Sequence, residues 1–143
     1  MRVARPSARA GKGSGNGSRK SRRGRRDGRR RDGDASTAET QALQRCASHC
    51  DAAFAYCTTE LHDLRDLGEL RCLADCAQMC GLTAAFVARG ARFADALRSV
   101  CAQQCAQAAA ICAGYPDDEV LAACGEACRD AFDALSAQAT PKV

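Results

Sequence analysis

From Leu43 onward, apolar and small residues recur at steps of three and four. One run reads Leu43, Cys46, Cys50, Ala53, Cys57, Leu61, Leu64; another Leu97, Cys101, Cys105, Ala108, Cys112; a third Leu121, Cys124, Cys128, Ala131, Leu135. Cys72, Cys76 and Cys80 repeat at steps of four. Such spacing lines one face of an α-helix and predicts four amphipathic helices. Ser36-Thr37-Ala38-Glu39 has the form of a capping box, which predicts a first helix from there to about His62. A second is expected from near Asp66 to Arg89-Gly90, and a third from near Arg92 to Gly114, with Gly114 as a left-handed cap. After Tyr115-Pro116, Asp117 is expected to cap a fourth helix running to about Ala137. Short connections make successive helices antiparallel, so the expected fold is all-α, an up-down four-helix bundle with a Cys-lined core.

Charge divides the chain. Residues Met1 to Asp34 hold 11 Arg, 2 Lys and 3 Asp, and 7 of the 12 glycines; residues 35–143 hold 8 basic and 14 acidic residues. The first segment has almost no bulky apolar side chain with which to offset chain entropy. It is expected to be a disordered Arg/Gly-rich tail (1–34) ahead of a Cys-rich bundle (35–143). Arg22-Arg23 and Arg25-Arg26 invite a twin-arginine export reading, but Gly24 to Gln41 contains no apolar stretch of the required length. An Arg run attracts nucleic acid non-specifically, yet no aromatic is interleaved for base stacking. A solvated tail is therefore preferred to a nucleic-acid arm. No stretch approaches the length of a membrane span, and a membrane partner is not expected.

The 143 residues include 11 cysteines, all between Cys46 and Cys128, with no Trp. Alanine supplies 31 positions, so the apolar content is mostly Ala and Cys rather than bulky core. Cys46/Cys50 with Cys57 repeats as Cys101/Cys105 with Cys112, and Cys72/Cys76 repeats as Cys124/Cys128. A duplicated helical hairpin accounts for both echoes. Cysteines at i and i+4 stack one turn apart on one face, about 5–6 Å between Cβ atoms. That suits two thiolates gripping one soft ion better than it suits a disulfide. The chain has no C-x-x-C, which counts against thioredoxin-like redox work and ordinary iron–sulfur runs and weakens zinc without excluding it. Soft thiolates select Cu(I), and a seam of them makes a sink for many ions rather than one site. Ala53, Ala108 and Ala131 leave room between the thiols.

CLADCAQMC (Cys72 to Cys80) followed by Ala84-Ala85-Phe86-Val87-Ala88-Arg89-Gly90, together with CAQQCAQAAAIC and CGEACRDAF, resembles the bacterial cysteine-rich four-helix-bundle copper storage proteins of the cytosolic type. The resemblance covers about Leu43 to Leu135 and none of the tail. It implies a bundle that holds multiple Cu(I) ions on thiolates and keeps them from toxic exchange. It also implies a cytoplasmic location and association as a homo-tetramer. The metal-binding candidates are Cys46, Cys50, Cys57, Cys72, Cys76, Cys80, Cys101, Cys105, Cys112, Cys124 and Cys128, with His62.

Alternating helix direction is expected to gather Cys57, Cys72, Cys112 and Cys124 at one end, beside His62. Leu43, Phe86, Leu97, Phe132 and Leu135 would plug the other. Copper would then enter at the His62 end, with that imidazole as a transient ligand. His49 is read as a surface or packing residue and Met79 as core filler. No catalytic residue is expected, because a nucleophile needs one activated thiolate with an oriented base rather than a set of near-equivalent thiols. The alternatives to a copper store are an iron–sulfur or a zinc-binding helical protein.

Overall fold

The computed structural model describes residues 20–60 and 66–138, with side chains from residue 33. Four helices follow one another: α1 (Lys20–Thr59), α2 (Leu67–Arg89), α3 (Ala94–Ala113) and α4 (Glu119–Gln138). Each packs on the next and α4 returns to α1, while among the described residues neither diagonal pair is in backbone contact. This is the up-down bundle that the periodicity predicts. The core is built from the stripes: Leu43, Cys46, Cys50, Ala53 and Cys57 on α1, Cys101, Cys105, Ala108 and Cys112 on α3, and Leu121, Cys124, Cys128, Ala131 and Leu135 on α4 are all buried. Leu61 and Leu64 lie outside the described residues.

The helix ends explain themselves locally, with three corrections. The capping box does not form. α1 already runs from Lys20, so Ser36 sits within the helix and its carbonyl accepts from Thr40 Oγ1 at 2.7 Å. Arginine is a good helix former, and an Arg-rich stretch offers little reason to stop a helix at Ser36. Gly114 is right-handed (φ −71°), so among the described residues the left-handed glycine cap is found at Gly90, at φ 61°. There, Ala91 N donates to Phe86 O at 2.9 Å, closing a Schellman-type turn. Asp118 rather than Asp117 caps α4, accepting from Leu121 N at 3.0 Å. α2 starts near Asp66 as expected, and Asp66 itself is the cap, accepting from Gly68 N at 2.8 Å.

α2 is the one described helix long and apolar enough to cross a membrane. Here its apolar face, with Leu73, Cys76, Ala77, Cys80, Thr83, Ala84 and Val87 buried, packs into the bundle.

Candidate metal centre

The bundle axis is a ladder of sulfur. Ten of the eleven cysteines are buried, Cys72 is half-buried, and all eleven are free thiols. Cys46 Sγ lies 3.6 Å from Cys128 and 3.9 Å from Cys76; Cys50 Sγ lies 3.7 Å from Cys124 and 3.6 Å from Cys128. Further along, Cys76 is 4.0 Å from Cys80, and Cys80 is 3.7 Å from Cys101 and 3.5 Å from Cys105. Two sets of four sulfurs have all members within 4.8 Å of one another: Cys46, Cys50, Cys76 and Cys128, and Cys46, Cys76, Cys80 and Cys105. Cys46 and Cys76 belong to both, so the sets are continuous. Cys46 and Cys105 stand on diagonal helices whose backbones do not touch, so the sulfurs close the distance that the helices leave open.

The sulfurs share few protons' worth of freedom. Hydrogen bonds within the network, Cys105 contributing most, hold Cys46, Cys76 and Cys101 well below the ordinary thiol range. Cys112 does the same for Cys124. Their neighbours are pushed up in return: Cys50, Cys112 and Cys128 chiefly by Cys124, and Cys80 and Cys105 chiefly by Cys101. The physical cause is simple. A buried thiolate is tolerated when adjacent S–H groups donate to it, and a second anion beside the first is not. Cys57 and Cys72 are pushed up by burial itself.

One end of the ladder carries Cys112, Cys124 and Cys57, close enough that Cys124 and Cys57 both act to raise Cys112 and Cys124 acts to raise Cys57. Its rim is acidic and phenolic: Tyr56 Oη donates to Asp118 Oδ2 at 2.6 Å and Tyr115 Oη to Glu69 Oε2 at 3.1 Å. Cys72 makes no sulfur contact there. Gln104 Nε2 donates to its Sγ at 3.2 Å and to its carbonyl at 3.1 Å, so α3 holds it at the wall of the bundle. His62, proposed as the ligand where copper enters, lies outside the described residues. His49 is half-buried, and Met79 is half-buried against the core.

The opposite end differs from the expected plug. Leu43 and Leu135 are fully buried, Leu97 and Phe86 are half-buried, and Phe132 is 38% exposed. The seal includes an ion pair instead. Arg98 Nε donates to Glu39 Oε1 at 2.7 Å and Nη2 to Oε2 at 3.2 Å, a two-pronged contact. The Glu39 side chain is 1% exposed. Sequence reasoning assigned Glu39 to a cap and gave no role to Arg98, Gln104 or Thr83. Nothing in spacing alone separates such residues from a solvated helix face.

The axis of this helical bundle is lined with free, mutually hydrogen-bonded thiols whose compact groups could hold a soft metal ion. The chain belongs to the copper storage protein (Csp) family, whose model matches residues 33–139. That match starts before the capping-box position and takes in α1 from residue 33 onward, the other three helices and every cysteine. No curated protein matches the chain as a relative.

Proposed function

We propose that this protein stores Cu(I) as a chain of thiolate-bound ions along the bundle axis. The eleven cysteines serve as ligands, and the protein limits free copper in the cell. The observation that carries the reading is the sharing of Cys46 and Cys76 between two four-sulfur groups. Shared sulfurs favour bridged, multinuclear binding over isolated closed sites.

Charge supports a monovalent ion. Each Cu(I) that replaces a thiol proton leaves the charge of the core unchanged. A four-thiolate zinc site would bury a net charge of about −2, and burying charge without a partner is costly. Arg98, a basic group at the closed end, is already committed to Glu39. One observation favours zinc as the second reading. Cys46, Cys50, Cys76 and Cys128 form a compact set, all within 4.8 Å, and three of their six sulfur separations, at 3.6 to 3.9 Å, match the roughly 3.8 Å edge of a tetrahedron with Zn–S bonds of about 2.3 Å.

The cytoplasm is the compartment in which eleven free thiols stay reduced, and it is where this reading places the protein. Self-association as a tetramer belongs to the same proposal; Leu82, Phe93 and Val100 are exposed apolar side chains available to it. The test is titration of the reduced full chain with Cu(I), without oxygen and against a coloured Cu(I) chelator, beside a parallel zinc titration. Several Cu(I) ions per chain held against the chelator, with zinc displaced by copper, is the expected result. One copper or none, with stoichiometric zinc, would replace the copper reading by the zinc one.

A further inference from the structure

α1 runs for 40 residues where the other helices have 23, 20 and 20, and the cross-helix contacts fix where the surplus lies. Cys46 meets Cys76 on α2 and Cys128 on α4, and Glu39 meets Arg98 on α3. Carried outward residue by residue, these pairings set Arg89, the last of α2, opposite Gly33. They set Gln138, the last of α4, opposite Ser36, and Ala94, the first of α3, opposite Ala35. Gly33 and Ala88 border the same surface cavity, in agreement with that register. The backbone of residues 20–32 thus continues as helix beyond the end of the bundle, for about 20 Å. This stretch holds seven Arg and one Lys against two Asp. Arg22, Arg25, Arg26, Arg29 and Arg30 recur at steps of three and four, which places them on one face of the helix, with Gly24 and Gly28 on the far side. Pairs such as Arg22/Arg26 and Arg26/Arg30 set like charges one turn apart, and the cations crowd the positive end of the helix dipole. The arm lacks its counter-charge.

We propose that this projecting arginine face is an arm that binds duplex DNA, the helix lying in the major groove with its arginines matched to the phosphates. The inference goes beyond copper storage and stands whether or not the thiols hold metal. Phosphates supply the missing negative charge and relieve the repulsion along the face. The major groove of B-DNA, about 12 Å wide, admits an α-helix, whereas that of double-stranded RNA is too deep and narrow. The absence of aromatics counts against single strands, whose bases stack on rings, and not against a helix that reads the duplex backbone. Residues 20–32 offer no bulky apolar side chain, so they have nothing to bury in a lipid surface. Contacts with phosphate alone carry no sequence information, so the binding is sequence-independent and steeply dependent on salt.

The test uses the reduced, metal-free full chain and fluorescence anisotropy with a labelled duplex of mixed sequence. Five phosphate contacts predict a slope of about −4.5 or steeper in log affinity against log salt, a weakening of about 500-fold between 50 and 200 mM. Replacing Arg22, Arg25, Arg26, Arg29 and Arg30 together by Gln should make that slope shallower by about four and weaken low-salt binding at least about a hundredfold. Gly24→Pro/Gly28→Pro keeps every charge and breaks the helix; it should bind about tenfold more weakly than the parent. Both variants should melt with the parent, since the replaced positions lie beyond the ends of the other helices. No duplex binding by the parent would overturn the proposal. So would a proline variant that binds like the parent, or a lowered melting temperature in either variant. Tighter binding to a single strand, or to vesicles of phosphatidylserine and phosphatidylcholine, than to the duplex would also overturn it. Copper uptake bears on none of these outcomes, so the storage reading stands or fails separately.

Discussion

The ion pair at the closed end makes a prediction whose asymmetry comes directly from exposure. The Glu39 side chain is 1% exposed, whereas Arg98 is 21% exposed and has a second partner in Asp95 at 2.7 Å. Asp95 is 91% exposed, so its own contact contributes little. Arg98→Ala strands a carboxylate inside the bundle, and removing one partner of a buried pair costs about 3–5 kcal/mol. Glu39→Ala strands a cation that still reaches water and Asp95, so its cost should be smaller, about 1–2 kcal/mol including lost packing. The double replacement Glu39→Leu/Arg98→Met removes both charges and fills the space, which commonly costs little and sometimes stabilises. For a domain of this size about 1 kcal/mol moves the midpoint by about 4 °C, so Arg98→Ala should melt on the order of 12–20 °C below the parent. Thermal unfolding of the reduced, metal-free full chain, followed by far-ultraviolet circular dichroism, reads all three variants. Equal losses for the two single variants, or a cost below about 1 kcal/mol for Arg98→Ala, would refute the claim that this pair is buried asymmetrically.

Three further outcomes follow from the geometry. Cys46→Ala removes a ligand shared by both four-sulfur groups, whereas Cys72→Ala removes one that belongs to neither; in Cu(I) titrations the first should lose more ions per chain than the second, and equal losses would count against the shared-ligand ladder. Tyr56→Phe deletes the donor to Asp118, whose carboxyl that hydrogen bond, above all, holds below the usual carboxylate range. The stability this contributes is present above the unfolded carboxylate value of about 3.9 and is lost as pH falls through the lower folded value. The melting difference between Tyr56→Phe and the parent should therefore be seen at neutral pH and close in acid; a gap independent of pH would contradict it. Gly90→Ala meets no atom within 4 Å, so it tests backbone strain alone at φ 61°; a loss of about 1 kcal/mol with copper uptake intact is expected, and a neutral result would show the left-handed cap to be dispensable.

The helical periods, the duplicated cysteine spacing and the left-handed glycine at the end of α2 are all properties of short stretches, and they were legible because each is decided within one or two turns of chain. The stripe Leu43-Cys46-Cys50-Ala53-Cys57 faces inward because steps of three and four return to one side of a helix whatever surrounds it. Local signals misled where several sites competed for one role. Ser36 and Glu39 satisfy a capping pattern, but the helix forms upstream of them, and the Glu39 carboxylate finds Arg98, 59 residues away. Asp117 and Asp118 are equivalent on paper, and backbone geometry selects Asp118.

By itself, then, the sequence determined that thiols line the inner faces of four antiparallel helices. Only the packing decided which thiols meet. Cys72/Cys76 and Cys46/Cys50 share the same spacing, yet Cys46 sits at the junction of two sulfur groups while Cys72 is drawn aside by Gln104. The difference depends on how far each helix is rotated and shifted against its neighbours. A rotation of one residue's arc carries a sulfur from the axis to the wall, and no spacing along a single helix encodes it. The same holds for Thr83. Its hydroxyl is unremarkable along the chain and is left without a partner only because the packing of the bundle buries it.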